Sequence, residues 1–140
     1  MGRRGLKIVA DANVLVRAVV QDDERQAAAA AKSLTEAKLI AVALPTSCEF
    51  VWVLGRLYGF ERPDVALALR ALFDAPNVLV DGAAAEAGLA TFEAGAAFAD
   101  GVIAFEGERL GGEIFVSFDR KAVTVLSRLG RKAKALGSMK

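Results

Sequence analysis

Four short apolar runs punctuate this chain: "LKIVA" at 6–10, "LIAVAL" at 39–44, "NVLVD" at 77–81 and "EIFVSF" at 113–118. Between them lie stretches with helical spacing of apolar residues, at 13–20, 22–37, 45–59, 62–75, 82–95, 96–112 and 119–130. Strands separated by helices cannot pair as tight hairpins, so the alternation predicts parallel pairing through right-handed crossovers. The expected fold class is α/β, a three-layer α/β/α sandwich with a central parallel sheet. The length, 140 residues, suits one domain with a real core. That domain is expected over 1–135, with 136–140 a disordered tail and no repeat or linker.

Composition narrows the chemistry. The chain has no histidine and one cysteine, Cys48. Histidine bases, catalytic triads, imidazole metal sites and intramolecular disulfides are therefore excluded. Any reaction must use carboxylates, hydroxyls, basic side chains or the lone thiol. Net charge is only +1, although Arg109, Arg120, Lys121, Arg128, Arg131, Lys132, Lys134 and Lys140 crowd one end and Arg3, Arg4 and Lys7 the other. No apolar run approaches the roughly 18 residues of a membrane span. "RRGLK" is not followed by the uninterrupted apolar core of an export signal, because Asp11, Asn13 and Arg17 break it. A cytoplasmic, soluble protein with no membrane partner is expected.

The acids are the informative residues. Asp11 interrupts an otherwise apolar segment, and an ionised carboxylate buried without a partner is costly. It reads either as the cap of the following helix or as a group facing a cation. In parallel α/β sheets, functional groups gather at the carboxyl ends of strands. Asp11 and Asp119 both fall just past one. Glu49, with helical neighbours Pro45, Thr46, Trp52 and Val53, has no basic residue a turn away, and neither does Asp100 beside Ala96, Ala97, Ile103 and Ala104. Taken singly, each has an ordinary explanation as a cap or a surface carboxylate; Glu86 and Glu93 likewise have no basic residue a turn away. Asp22, Asp23 and Glu24 read as helix-start chemistry. Phe50, Trp52 and Phe98 fall at helical spacing and are expected in the core, with Cys48 a small core residue.

Together, Asp11, Glu49, Asp100 and Asp119 can converge if their helices cross the strand ends. Such a cluster repels itself and persists only with a cation. Hard ions such as Mg²⁺ or Mn²⁺ prefer oxygen ligands and hydrolyse phosphodiesters without histidine.

The order "VADANVLVR", "SCEFVWVL", "FADGVIAF", "FVSFDRKA" resembles the PIN-domain nucleases, especially VapC-type toxins of bacterial toxin–antitoxin pairs, over about residues 6 to 130. The resemblance implies a PIN-like fold and a Mg²⁺- or Mn²⁺-dependent endoribonuclease. Asp11, Glu49, Asp100 and Asp119 would be its catalytic and metal-binding quartet. It implies that Asn13 and Ser117 orient the site. It also implies a homodimer held in check by a cognate antitoxin, which lays an apolar segment in a groove and directs an arginine toward the acids. Two positions depart from the family pattern: Ala97 replaces an additional aspartate and Gly101 a usual alanine. The first puts a second metal ion in doubt. An alternative is a non-catalytic PIN-like module that binds RNA or protein; a phosphoacceptor domain would want more acids beside the first strand than "IVADAN" offers.

Overall fold

The computed structural model describes residues 5–137. Arg3, Arg4 and Lys140 of the expected basic ends, and residues 138–140 of the expected tail, lie outside them. The chain is mixed α/β and 61% helical, with strands of only two or three residues. It divides into two compact units, Met1–Asp81 and Gly82–Lys140.

The first unit runs β1 (Lys7–Val9), α1 (Ala12–Val19), α2 (Glu24–Glu36), β2 (Leu39–Ala41), α3 (Leu44–Trp52), α4 (Arg62–Asp74) and β3 (Val78–Leu79). Its strands pair in the order β1-β2-β3, all parallel, with Ile8 opposite Ile40 and Ile40 opposite Val78. Ile40, Leu15, Phe50, Leu54, Val65 and Leu69 are buried at the centre. α1 packs on both α2 and α3. Ala27 and Ala30 are the buried residues of α2, and their small side chains suit a close helix approach. Asp23 caps that helix by accepting from the Gln26 N–H at 3.1 Å, as the acidic start predicts. The Asn77 amide donates to the Leu34 and Ala37 carbonyls, tying the entry of β3 to the end of α2.

α3 does not run on as a regular helix. Val53–Leu57 form a π-helical turn, closed by the Tyr58 N–H on the Val53 carbonyl at 3.2 Å. The wider turn takes one more residue than an α-turn and so rotates the chain beyond it. Phe50, Val53 and Leu54 are buried as their spacing predicts, but Leu57 is 65% exposed.

The second unit contains α5 (Gly82–Glu93), α6 (Phe98–Arg109), β4 (Phe115–Ser117), α7 (Arg120–Arg128) and β5 (Ala133–Ala135). β4 and β5 pair in parallel, Phe115 opposite Ala133 and Ser117 opposite Ala135. β5 is a strand that the sequence does not announce. Beyond it the Leu136 N–H donates to the Ser117 carbonyl at 2.8 Å, so the chain is still held at the start of the expected tail. α7 packs on β4 and β5, burying Ala122, Val125 and Leu126. α5 and α6 lie against each other with glycines at the crossing: a methyl on Gly88 would stand 2.7 Å from the Phe98 ring. No helix among the described residues is long and apolar enough to cross a membrane.

Candidate functional site

Asp11, Asn13 and Glu49 lie in the first unit. Asp11 follows β1 by two residues and is exposed between the buried Ala10 and Ala12. It caps α1: its Oδ1 accepts from the Asn13 N–H at 2.7 Å. The capping reading is therefore realised. It uses one carboxylate oxygen and leaves Oδ2 without a hydrogen bond among the described residues. The Asn13 side chain is exposed at a cavity of about 520 Å³ between α1 and α2, lined also by Val14, Arg17, Gln26 and Ser33. Glu49 is exposed on α3. Arg17 stiffens this region, donating to Asp22 at 2.7 Å and to the Tyr58 hydroxyl at 3.3 Å, so α1 is tied to the residue that ends the π-helical turn.

Asp100, Ser117 and Asp119 lie in the second unit. Asp119 follows β4 and caps α7, its Oδ1 accepting from the Lys121 and Ala122 N–H groups at 3.0 and 3.1 Å. The Ser117 hydroxyl accepts from the Asp119 N–H at 3.0 Å. Ser117 thus holds the backbone that aims Asp119. Asp100 lies in the first turn of α6, half-buried. Burial raises its carboxyl above the usual range, the charge of Asp119 raises it further, and a backbone hydrogen bond at Ala97 pulls the other way. Neither acid has an ion-pair partner among the described residues.

Each unit holds two of the four acids. Among the described residues no group of three or more Asp, Glu or Cys side chains stands together where it could hold a metal ion. The donors themselves suit a hard cation. They are carboxylates only, and the two caps each retain an oxygen not spent on the helix.

No family model matches the chain, and no curated protein is significantly similar to it.

Three features of these elements are not legible in the sequence. Trp52, expected in the core, is exposed, whereas Phe50 and Phe98 are buried; Cys48 is half-buried. Gly101 is a packing requirement. A methyl there would run into the Ala87 carbonyl and the Thr91 side chain, and Thr91 is itself fully buried and bonded to that carbonyl. The neighbour of Asp100 is thereby pinned to α5.

The Asp100 environment has a consequence for stability. Its folded carboxyl is held above its ordinary value, so folding disfavours the charged form. In acid, below the ordinary carboxylate range, folded and unfolded chains are both protonated there and no penalty exists. As pH rises through that range the unfolded chain ionises first and stability falls, until folded Asp100 has ionised too. Asp100→Asn removes this loss. Without metal the variant is expected to melt above the wild type at neutral pH. The gain should lie toward the low end of about 0.5–2 kcal/mol, because a half-exposed group is screened by solvent. Melts across pH should show the gap closing in acid; a variant that melts lower at neutral pH contradicts the assignment.

Proposed function

We propose that the protein is a divalent-metal-dependent endoribonuclease whose Asp11, Glu49, Asp100 and Asp119 hold one Mg²⁺ or Mn²⁺. The observation that carries the reading is Asp100, half-buried within the field of Asp119, with no cationic side chain paired to either among the described residues. Two like charges left unneutralised in one unit favour a cation. The three-layer sandwich about one central parallel sheet is part of the proposal, supported by the parallel sense of every described strand pair.

The chain's own residues would divide the work simply. The carboxylates supply hard oxygen ligands, and Ser117 keeps Asp119 in position through its backbone N–H. Asn13 offers an exposed amide two residues from Asp11 to orient a phosphate or base. A bound Mg²⁺ or Mn²⁺ would supply an activated water and charge neutralisation at the leaving oxygen. Purified protein is expected to cut RNA with either ion, to stop on EDTA addition, and to leave 5′-phosphate ends because water is the nucleophile. Cyclic phosphate ends, or cutting in EDTA, contradict the mechanism.

The proposal extends to partners: an RNA substrate, a cognate antitoxin protein and a second copy of this chain. Exposed apolar side chains such as Leu67, Leu110 and Phe118 support a role for protein contacts. Sedimentation at roughly ten micromolar, a concentration that populates a dimer of modest affinity, is expected to show a dimer; a monomer there counts against it. Co-expression with the product of an adjacent gene for a small DNA-binding protein should suppress cleavage. Unchanged cleavage would remove the toxin assignment and leave the nuclease.

A further inference from the structure

α3 and the π-helical turn after it carry the chain's one tryptophan on the outside. Trp52 is 54% exposed. An indole held in water on a regular helix forgoes the stabilisation that its burial would give. It is not left unattended: the Arg56 guanidinium carbon stands 5.9 Å from the ring centroid, a cation–π distance. Arg56 is exposed and has no ion-pair partner among the described residues. One turn before Trp52, at the i−3 position of the same helix, is the exposed Glu49. A carboxylate, an aromatic ring and a guanidinium that has no ion-pair partner among the described residues therefore succeed one another along one exposed stretch of chain.

We propose that Trp52, with Arg56 beside it, is a stacking platform for an unpaired base of single-stranded RNA, placed one helical turn from Glu49. This rests on the nuclease reading and names the form of its substrate. Every base offers a π-face to an indole, so the contact is tolerant of sequence. Bases inside a duplex are already stacked, so the platform selects single strands. Arg56 matches the flanking phosphate in charge. Trp and Arg also anchor protein interfaces, but the matching of cation and ring to phosphate and base, beside a candidate phosphodiester-cutting acid, favours RNA over a second copy of the chain.

Because the chain has a single tryptophan, its emission reports on Trp52 alone. The full-length protein in EDTA is titrated with a short single-stranded oligoribonucleotide of mixed sequence and with its duplex, and a labelled strand gives the affinity by anisotropy. Saturable quenching by the single strand, and much weaker quenching by the duplex, is expected. Trp52→Ala should weaken binding about 5- to 100-fold, the usual loss for one stacked base. Trp52→Phe should retain most of the affinity because a ring remains. Arg56→Ala should weaken binding and flatten its salt dependence. Circular dichroism confirms that each variant is folded. Binding by anisotropy with unmoved emission overturns the proposal, as does the absence of any binding. Emission that tracks protein concentration instead of RNA overturns it in favour of a second copy. RNA cleavage in Mg²⁺ that survives Trp52→Ala with unchanged affinity overturns the platform and leaves the nuclease standing. Quenching without cleavage retains the platform and removes the nuclease.

Discussion

Asp11→Asn and Asp119→Asn are each expected to reduce Mg²⁺-dependent RNA cleavage by at least about 100-fold, with little change in melting temperature. Losing a charged ligand to a catalytic cation forfeits several kcal/mol, and each ~1.4 kcal/mol is a factor of ten in rate. The structure dictates the choice of asparagine. Both aspartates cap helices through a side-chain oxygen, and asparagine caps about as well. The substitution therefore removes the charge and keeps the cap. Alanine at either position mixes the two effects, since it also loses a cap contribution of about 0.5–2 kcal/mol. Asparagine variants that cut RNA as fast as the wild type would reduce both residues to caps.

Gly101→Ala is expected to destabilise the fold by about 1–3 kcal/mol, the range for forcing a methyl into a packed interior. Helix propensity alone predicts the opposite sign, a gain of up to about 1 kcal/mol for Gly→Ala within a helix. Position 101 lies in α6, where an added Cβ meets the Ala87 carbonyl and the Thr91 side chain. Helix backbone cannot give way as a flexible side-chain tip can. Gly107→Ala, on the same helix, meets nothing within 4 Å. It is expected to raise stability by about 0.5–1 kcal/mol, as helix propensity directs. Denaturant melts of the pair decide the matter. A Gly101→Ala chain as stable as the wild type would mean that α5 and α6 can part without cost, and Asp100 would lose its fixed setting.

Much of the local structure was legible because it is written in local signals. The runs at 6–10, 39–44, 77–81 and 113–118 each contain a strand, and Asp23 and Asp119 mark the starts of α2 and α7. β5 was not legible. Ala133, Lys134 and Ala135 have little strand propensity of their own, and pairing with β4 makes them a strand. Helical spacing also mistook Trp52 and Leu57 for core. Periodicity marks which residues share a face, but the π-helical turn shifts the face before Leu57, and Tyr58 closes that turn through a backbone bond that no spacing reveals. Trp52 precedes the turn and stands off the face that Phe50, Val53 and Leu54 share. The candidate residues could be named from the sequence, but their environments could not. That Ser117 would hold the Asp119 N–H, or that Gly101 would be demanded by Thr91, depends on partners distant in the chain or on exact backbone approach.

The proposed function needs acids from both parts of the chain on one ion, and Mn²⁺ binding puts that proposal to the test. Free Mn²⁺ gives a sharp paramagnetic resonance signal that is lost on binding. Titration of the wild type is predicted to show saturable binding that competes with Mg²⁺, and Asp11→Asn and Asp119→Asn should each weaken it severely. Binding that neither substitution changes, or that responds to only one of the two, would contradict the account.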